Sequence, residues 1–172
     1  MRRVLIVGCS GAGKTTLARA LAKATGLPLI HLDRHFWQPG WVEPGKAEWQ
    51  AAVAGLARRE AWIMDGNYGG TLPERLARAD TVIRLDVPTW LCLWEALRRT
   101  CLGILRPGRD DLPEGCRERT DWAFLGYVRR FRRDHRPRLV ARLGDFPGRI
   151  IVLRDPGKAR AFLRDLGAGQ SS

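Results

Sequence analysis

The sequence predicts an α/β protein: a parallel sheet of five strands with helices on both faces, in three layers. Three observations carry that prediction. Short apolar runs alternate with longer amphipathic segments along the whole chain, the order that right-handed crossovers turn into a parallel sheet. The first run, Val4-Leu5-Ile6-Val7, is apolar without interruption, as a strand buried on both faces must be. A glycine-rich loop then joins that run directly to a helix. With 172 residues, the chain is expected to form one domain spanning residues 1–172.

The elements follow in order. Gly8 to Gly13 is the loop, and Lys14 to Thr25 the first helix, with Leu17, Leu21 and Ala24 on one face and Gly26 as its stop. Leu27 to Leu32 is the second strand. Arg34 to Gly45, with Pro39, Gly40, Pro44 and Gly45, is predicted to be loop. Lys46 to Arg59 is a helix with Trp49, Val53 and Leu56 inward, and Ala61 to Met64 the third strand. A short helix over Leu72 to Ala79 precedes a fourth strand, Thr81 to Val87, closed by Pro88. Thr89 caps a helix in which Trp90, Leu93, Trp94, Leu97 and Cys101 recur at helical spacing. Arg106 to Gly115 is an exposed Pro/Gly connection, Asp121 to Arg133 a helix, Arg149 to Leu153 the fifth strand and Pro156 to Leu166 the closing helix.

The loop matches G-x-x-x-x-G-K-S/T at every fixed position: Gly8-Cys9-Ser10-Gly11-Ala12-Gly13-Lys14-Thr15. Glycines let a backbone curl around an oxyanion with its N–H groups inward, and the helix that follows aims its positive end at the same point. The expected ligand is ATP or GTP. Gly8, Cys9, Ser10, Gly11, Ala12, Gly13, Lys14, Thr15 and Thr16 form the expected nucleotide-binding set. Within it, Lys14 reaches the β- and γ-phosphates and the Thr15 hydroxyl ligates Mg²⁺. Cys9 is either a small filler or a thiol whose pKa the helix N-terminus lowers.

Asp33 ends the predicted second strand, at the sheet edge where ligands of open α/β folds collect. A carboxylate there takes a proton from an acceptor hydroxyl, binds that hydroxyl, or caps the chain that follows. Phe36, Trp37 and Trp41 form a dense aromatic cluster that either stacks on a flat group or packs beneath the loop. Residues 33–60 are the candidate acceptor-binding region. His31 and His35 flank Asp33 and receive no role.

Across nearly its whole length the chain resembles the nucleoside-monophosphate kinase group, most closely the adenylate-kinase-like proteins often labelled DNA topology modulation proteins. The likeness rests on Ile6 to Thr15, His31-Leu32-Asp33, Phe36 to Trp41, Trp62-Ile63-Met64-Asp65-Gly66-Asn67-Tyr68 and Ala79 to Pro88. It implies a P-loop kinase fold with the phosphate-loop strand in the middle of the five, a small Arg-rich lid, and a substrate pocket opposite the nucleotide. It also implies that Asp65 holds a magnesium-bound water, with Asp86 ranked behind it, and that the base of ATP rests near Arg154 to Gly157. Arg99 falls where related kinases place a phosphate-contacting lid arginine. The segment after Gly66 lacks the F-P-R with which adenylate kinases hold AMP, so the acceptor stays open.

Residues 98–121 are the candidate lid. Arg106 and Arg109 lie in its Pro/Gly loop, and with Arg99 they are expected to steady the charge of a moving phosphoryl group. The formal net charge is +12, and 26 of the 30 basic residues are arginine. Between Arg98 and Arg142 thirteen arginines face six acidic residues. Such an excess fits a triphosphate with a small-molecule acceptor. It also fits a nucleic acid, the basis of an alternative reading as a nucleic-acid-associated NTPase or regulator of DNA topology. A hydrolase using water as acceptor is a third. No C-x-x-C pair occurs among Cys9, Cys92, Cys101 and Cys116, which argues against a zinc site or redox dithiol. No apolar run approaches the roughly 18 residues that span a bilayer. The first strand begins almost at Met1, leaving no room for a signal peptide, so a cytoplasmic protein is expected.

Overall fold

The computed structural model describes the backbone of residues 1–105 and 122–168, with side chains throughout except at 99–105 and 168. Five parallel strands form one sheet in the order β2-β3-β1-β4-β5. They are β1 (Arg3–Gly8), β2 (Leu29–His31), β3 (Trp62–Asp65), β4 (Thr81–Leu85) and β5 (Arg149–Leu153). The strand before the glycine loop is central, as expected. β1 registers on β3 from Arg3↔Trp62 to Ile6↔Asp65, and on β4 from Val4↔Thr81 to Gly8↔Leu85.

Strand side chains alternate between faces, so β1 feeds both cores at once. Val4 and Ile6 join Ile63, Ile83, Leu17, Leu21, Val128 and Phe131 on one side. Leu5 and Val7 join Met64, Val82, Trp49, Val53, Leu72 and Leu143 on the other. All four β1 side chains are fully buried, a contribution of about 1.5–3 kcal/mol each. The helices that cover the first face include α1 (Lys14–Thr25), α5 (Thr89–Leu105), α6 (Trp122–Asp134) and α8 (Pro156–Ala168). The second face carries α3 (Lys46–Ala57), α4 (Leu72–Leu76) and α7 (Arg136–Gly144). No helix among the described residues is long and apolar enough to cross a membrane.

Three expectations need correction. The second strand is shorter than predicted, because Leu32–Phe36 forms a one-turn helix, α2. Asp33 therefore sits in the first turn of α2, not at a strand end. Helix α7 has no counterpart among the predicted elements; its Pro137 stands in the first turn, where proline is tolerated because no intrahelical donor is needed. On α5 the stripe Trp90, Trp94 and Leu97 faces solvent, while Cys92 and Ala96 are buried. Trp122 is exposed as well.

Asp86, just past β4, ties α7 to the sheet. Arg136 Nε and Nη2 donate to Asp86 Oδ1 and Oδ2, both at 2.7 Å, and Arg84 Nη1 stands 3.7 Å away. These bonds from Arg136 hold the Asp86 carboxyl below its usual range. A carboxyl depressed by folding contributes stability in full above the unfolded value of about 3.9, and loses it as pH falls through the folded value. An Arg136→Gln protein should be less stable than wild type by about 1–2 kcal/mol at neutral pH, allowing for the partial exposure of Arg136. The gap should close as pH falls below about 4. Urea melts across that range would measure it, and a gap independent of pH would refute the assignment.

Candidate active site at the carboxyl edge of the sheet

β1 is flanked on one side by strands reached before it is crossed again, and on the other by β4 and β5. The crevice of such a sheet opens at the carboxyl end of this switch-point strand. Gly8 to Gly13 lies there. The loop is shaped by close packing: a Cβ built on Gly11, at φ 82, would stand 2.1 Å from the Cys92 carbonyl oxygen of α5. No other residue fits. A Cβ on Gly13 meets nothing within 4 Å, so that end of the loop is open. Gly13 is also the N-cap of α1 and makes no side-chain cap, which leaves the first-turn N–H groups of Lys14, Thr15 and Thr16 for an anion. Ala12 N–H bonds back to the Cys9 carbonyl at 3.1 Å, and Lys14 Nζ donates to the same oxygen at 3.0 Å. Thr16 is exposed, and Ser10, Gly11, Ala12, Lys14 and Thr15 are half-buried.

Cys9 does not have the lowered pKa considered above. A bond with the Cys92 thiol, and then burial, push its own thiol well up. Both cysteines are buried and unbridged, which leaves Cys9 as packing beneath the loop.

Thr15 and Asp65 meet. The Thr15 hydroxyl donates to Asp65 Oδ2 at 2.7 Å, and His31 Nδ1 lies 3.3 Å from the same oxygen. Asp65 is 6% exposed, and its other oxygen, Oδ1, is buried without a hydrogen-bond partner among the described residues. An orphaned carboxylate oxygen beside a hydroxyl suits a hard cation, which takes one or two protein oxygens and completes its shell with phosphate oxygens and water. Thr15 and Asp65 would hold Mg²⁺ here.

Asp33 lies two residues past the carboxyl end of β2, half-buried. The Tyr68 hydroxyl donates to Asp33 Oδ1 at 2.7 Å. Burial, and then the Asp33 charge, raise the Tyr68 pKa, so the phenol stays protonated and donating. The aromatic cluster divides. Phe36 packs with Trp49 and Tyr68 at centroid distances of 5.0 and 4.7 Å, a continuation of the core. Trp37 and Trp41 meet edge to face at 5.2 Å, and Trp41 takes φ 65 in the turn that bridges Gln38 and Val42.

The turn after β3 contains residues to which no role was given. Asn67 Oδ1 accepts the Gly8 N–H at 3.1 Å, and its Nδ2 donates to the Gly8 carbonyl at 2.8 Å. Gly66, at φ 144, passes so close to α2 that a Cβ would stand 2.9 Å from the Leu32 Cβ. Tyr68 itself is at φ 29, a strained conformation for a side-chain-bearing residue. Arg75 holds all three. It is fully buried and donates to the carbonyls of Gly66, Asn67, Tyr68 and Thr71. In the sequence, Asp65-Gly66-Asn67-Tyr68 is the signal for the turn. Nothing in the sequence separates Arg75 from a surface arginine.

The remaining predicted residues are not brought into the crevice by any described contact. Arg99 falls on α5, with its side chain outside the described residues, and Arg106, Arg109 and most of the 98–121 segment lie outside them as well. Arg98 pairs with Glu95 one turn away at 2.9 Å, and Arg133 with Asp134 at 2.6 Å. Arg129, Arg130 and Arg133 line an open groove of about 450 Å³ on α6.

Residues 4–84 match the sequence model of the ATPase family associated with various cellular activities (AAA). No curated protein matches the sequence. Among solved structures, a shikimate kinase from Acinetobacter baumannii, in complex with shikimate, is 21% identical, with 99% of this chain and 94% of that one covered and a TM-score of 0.64. A gluconokinase from Sinorhizobium meliloti 1021 is 16% identical, with 99% and 95% covered and a TM-score of 0.55. A deoxyadenosine kinase from M. mycoides, with bound dATP, is 16% identical, with 100% of each chain covered and a TM-score of 0.50. Likeness of this kind over the whole chain establishes the architecture: this protein has the α/β fold of the P-loop kinases.

Proposed function

We infer that this chain is a small-molecule kinase that moves the γ-phosphoryl group of Mg-ATP to a small acceptor. One observation carries the reading: the Thr15 hydroxyl, next to the phosphate-loop lysine, is bonded to Asp65 at the carboxyl end of β3, and a second carboxylate, Asp33, is held by Tyr68 just past the carboxyl end of the neighbouring strand β2. The loop amides and Lys14 bind the triphosphate, and Thr15 and Asp65 would hold Mg²⁺, which would supply positive charge to the phosphate oxygens. Asp33 takes the acceptor hydroxyl or its proton. In this reading Arg99, Arg106 and Arg109 approach the phosphates from the 98–121 segment. Neighbours named for shikimate, gluconate and deoxyadenosine support a small acceptor. The finer likeness to adenylate-kinase-like DNA topology modulation proteins is carried most specifically by the Trp62 to Tyr68 and Phe36 to Trp41 segments.

The test is coupled ADP release screened against nucleoside monophosphates, nucleosides and small hydroxylated metabolites, with Asp33→Asn beside wild type. An acceptor that stimulates release should do so about a hundredfold less well in Asp33→Asn, the usual cost of removing a general base. Equal stimulation in both proteins would remove Asp33 from the acceptor site.

A further inference from the structure

Gly8 is the last residue of β1 and the first of the phosphate loop, and its two sides are treated differently. Toward β4 it registers with Leu85 inside the sheet. Toward β3 the strand pairing stops two residues earlier, at Ile6↔Asp65. A buried backbone N–H and C=O left there need partners. Asn67 supplies both from one side chain, accepting at 3.1 Å and donating at 2.8 Å, as a further strand would have done. A side-chain amide offers an acceptor and a donor side by side in this way, where an ionised carboxylate offers acceptors alone.

We propose that Asn67 is a positioning residue for nucleotide binding: its amide clamps both polar groups of Gly8 and so fixes the start of the phosphate loop from the acceptor side of the crevice. The proposal rests on the phosphate-loop reading above and adds to it a residue outside the glycine-lysine motif. The clamp is itself braced. Arg75 donates to the Gly66 and Asn67 carbonyls, so the turn that carries the amide cannot drift. Nδ2 also lies 3.5 Å from the Tyr127 hydroxyl of α6, which bounds the side chain on its far side. The next residue, Tyr68, holds Asp33. One three-residue turn therefore touches the nucleotide half and the acceptor half of the site. The charged and titratable groups around it are Asp33 on α2, Arg75 on α4, Tyr127 on α6 and, bonded to the Cys9 carbonyl one residue beyond the clamp, Lys14 on α1.

The test is calorimetric titration of wild type, Asn67→Ala and Asn67→Asp with Mg-ATP at neutral pH, with hydrogen exchange of the Gly8 amide measured beside it. Alanine removes both bonds, so Mg-ATP should bind about ten- to hundredfold more weakly and the Gly8 amide should exchange about tenfold faster or more, with the amides of Leu5 and Ile6 unchanged. Aspartate keeps the bond from Gly8 N–H but sets an acceptor against the Gly8 carbonyl, so binding should weaken while that amide stays protected. This split within one folded protein is not expected of a packing defect, and it still decides the matter should the alanine variant fail to fold. Asn67→Ala binding within about twofold of wild type would overturn the proposal. A Gly8 amide that exchanges equally in wild type and Asn67→Ala, or that loses its protection in Asn67→Asp, would overturn it too. These results spare the phosphate-loop reading. Wild type that fails to bind Mg-ATP would defeat that reading, and the clamp with it.

Discussion

A Lys14→Ala protein is expected to turn over ATP at least about a hundredfold more slowly than wild type, the scale of loss when one preorganised group facing a developing charge is removed. Among the described residues the ammonium makes one hydrogen bond, to the Cys9 carbonyl at 3.0 Å. A half-buried lysine bonded to a neutral carbonyl exchanges that contact for phosphate oxygens at little cost. The loop is meanwhile fixed from three sides, by Cys92 against Gly11, by Asn67 on Gly8, and by the start of α1. Alanine should therefore leave the fold intact, and thermal melting should barely move. Steady-state kinetics separate the roles. A loss in kcat with little change in KM places Lys14 on the transferring group, whereas a rise in KM alone places it on bound ATP. Turnover equal to wild type in a folded Lys14→Ala protein would mean that the glycine loop is not a nucleotide site.

The sheet was legible because parallel strands buried on both faces leave uninterrupted apolar runs, and Val4 to Val7 is such a run. The phosphate loop was legible because its geometry admits so few residues, as the Cys92 oxygen pressed against Gly11 illustrates. Asp65 and Thr15, 50 positions apart, could be paired only through the family resemblance, and the structure brings them within 2.7 Å. What the sequence hid was tertiary in origin. Helix α7 is held by contacts remote in sequence, Arg136 on Asp86 and Leu143 in the second core, which no local pattern reports. On α5, Trp90, Trp94 and Leu97 recur at helical spacing yet face solvent. The fully buried side chains among its described residues are the small Cys92 and Ala96, with Gly11 of the loop pressed against the Cys92 carbonyl and Leu91 and Leu93 packed partly buried against the same core. Asn67 and Tyr68 were in view as letters of a motif. Their function lies in partners 59 and 35 residues away.

Arg75→Met should destabilise the protein by about 3–5 kcal/mol, the scale seen when a buried charged network loses one member. Arg75 is fully buried, and burial pulls its pKa down to about 10, so the guanidinium is still a cation at neutral pH. Four carbonyl oxygens compensate that charge: those of Gly66, Asn67, Tyr68 and Thr71. Methionine keeps the stem and the packing volume but takes a donor from each of those acceptors, at about 1–3 kcal/mol for each left without a partner that water cannot replace; the Tyr68 carbonyl keeps the Thr71 N–H and hydroxyl, at 3.0 and 3.2 Å. The strain at Tyr68, φ 29, is sustained by a bond from Arg75 Nη2 to its carbonyl, and would be released with it. Lysine, with its charge but no planar fork, should recover only part of the loss. Urea melts at neutral pH give the number. The same substitution should also weaken Mg-ATP binding in whatever fraction stays folded, because Asn67 and Tyr68 lose their brace together. An Arg75→Met protein that melts within about 1 kcal/mol of wild type would show that the turn stands without its buried donor.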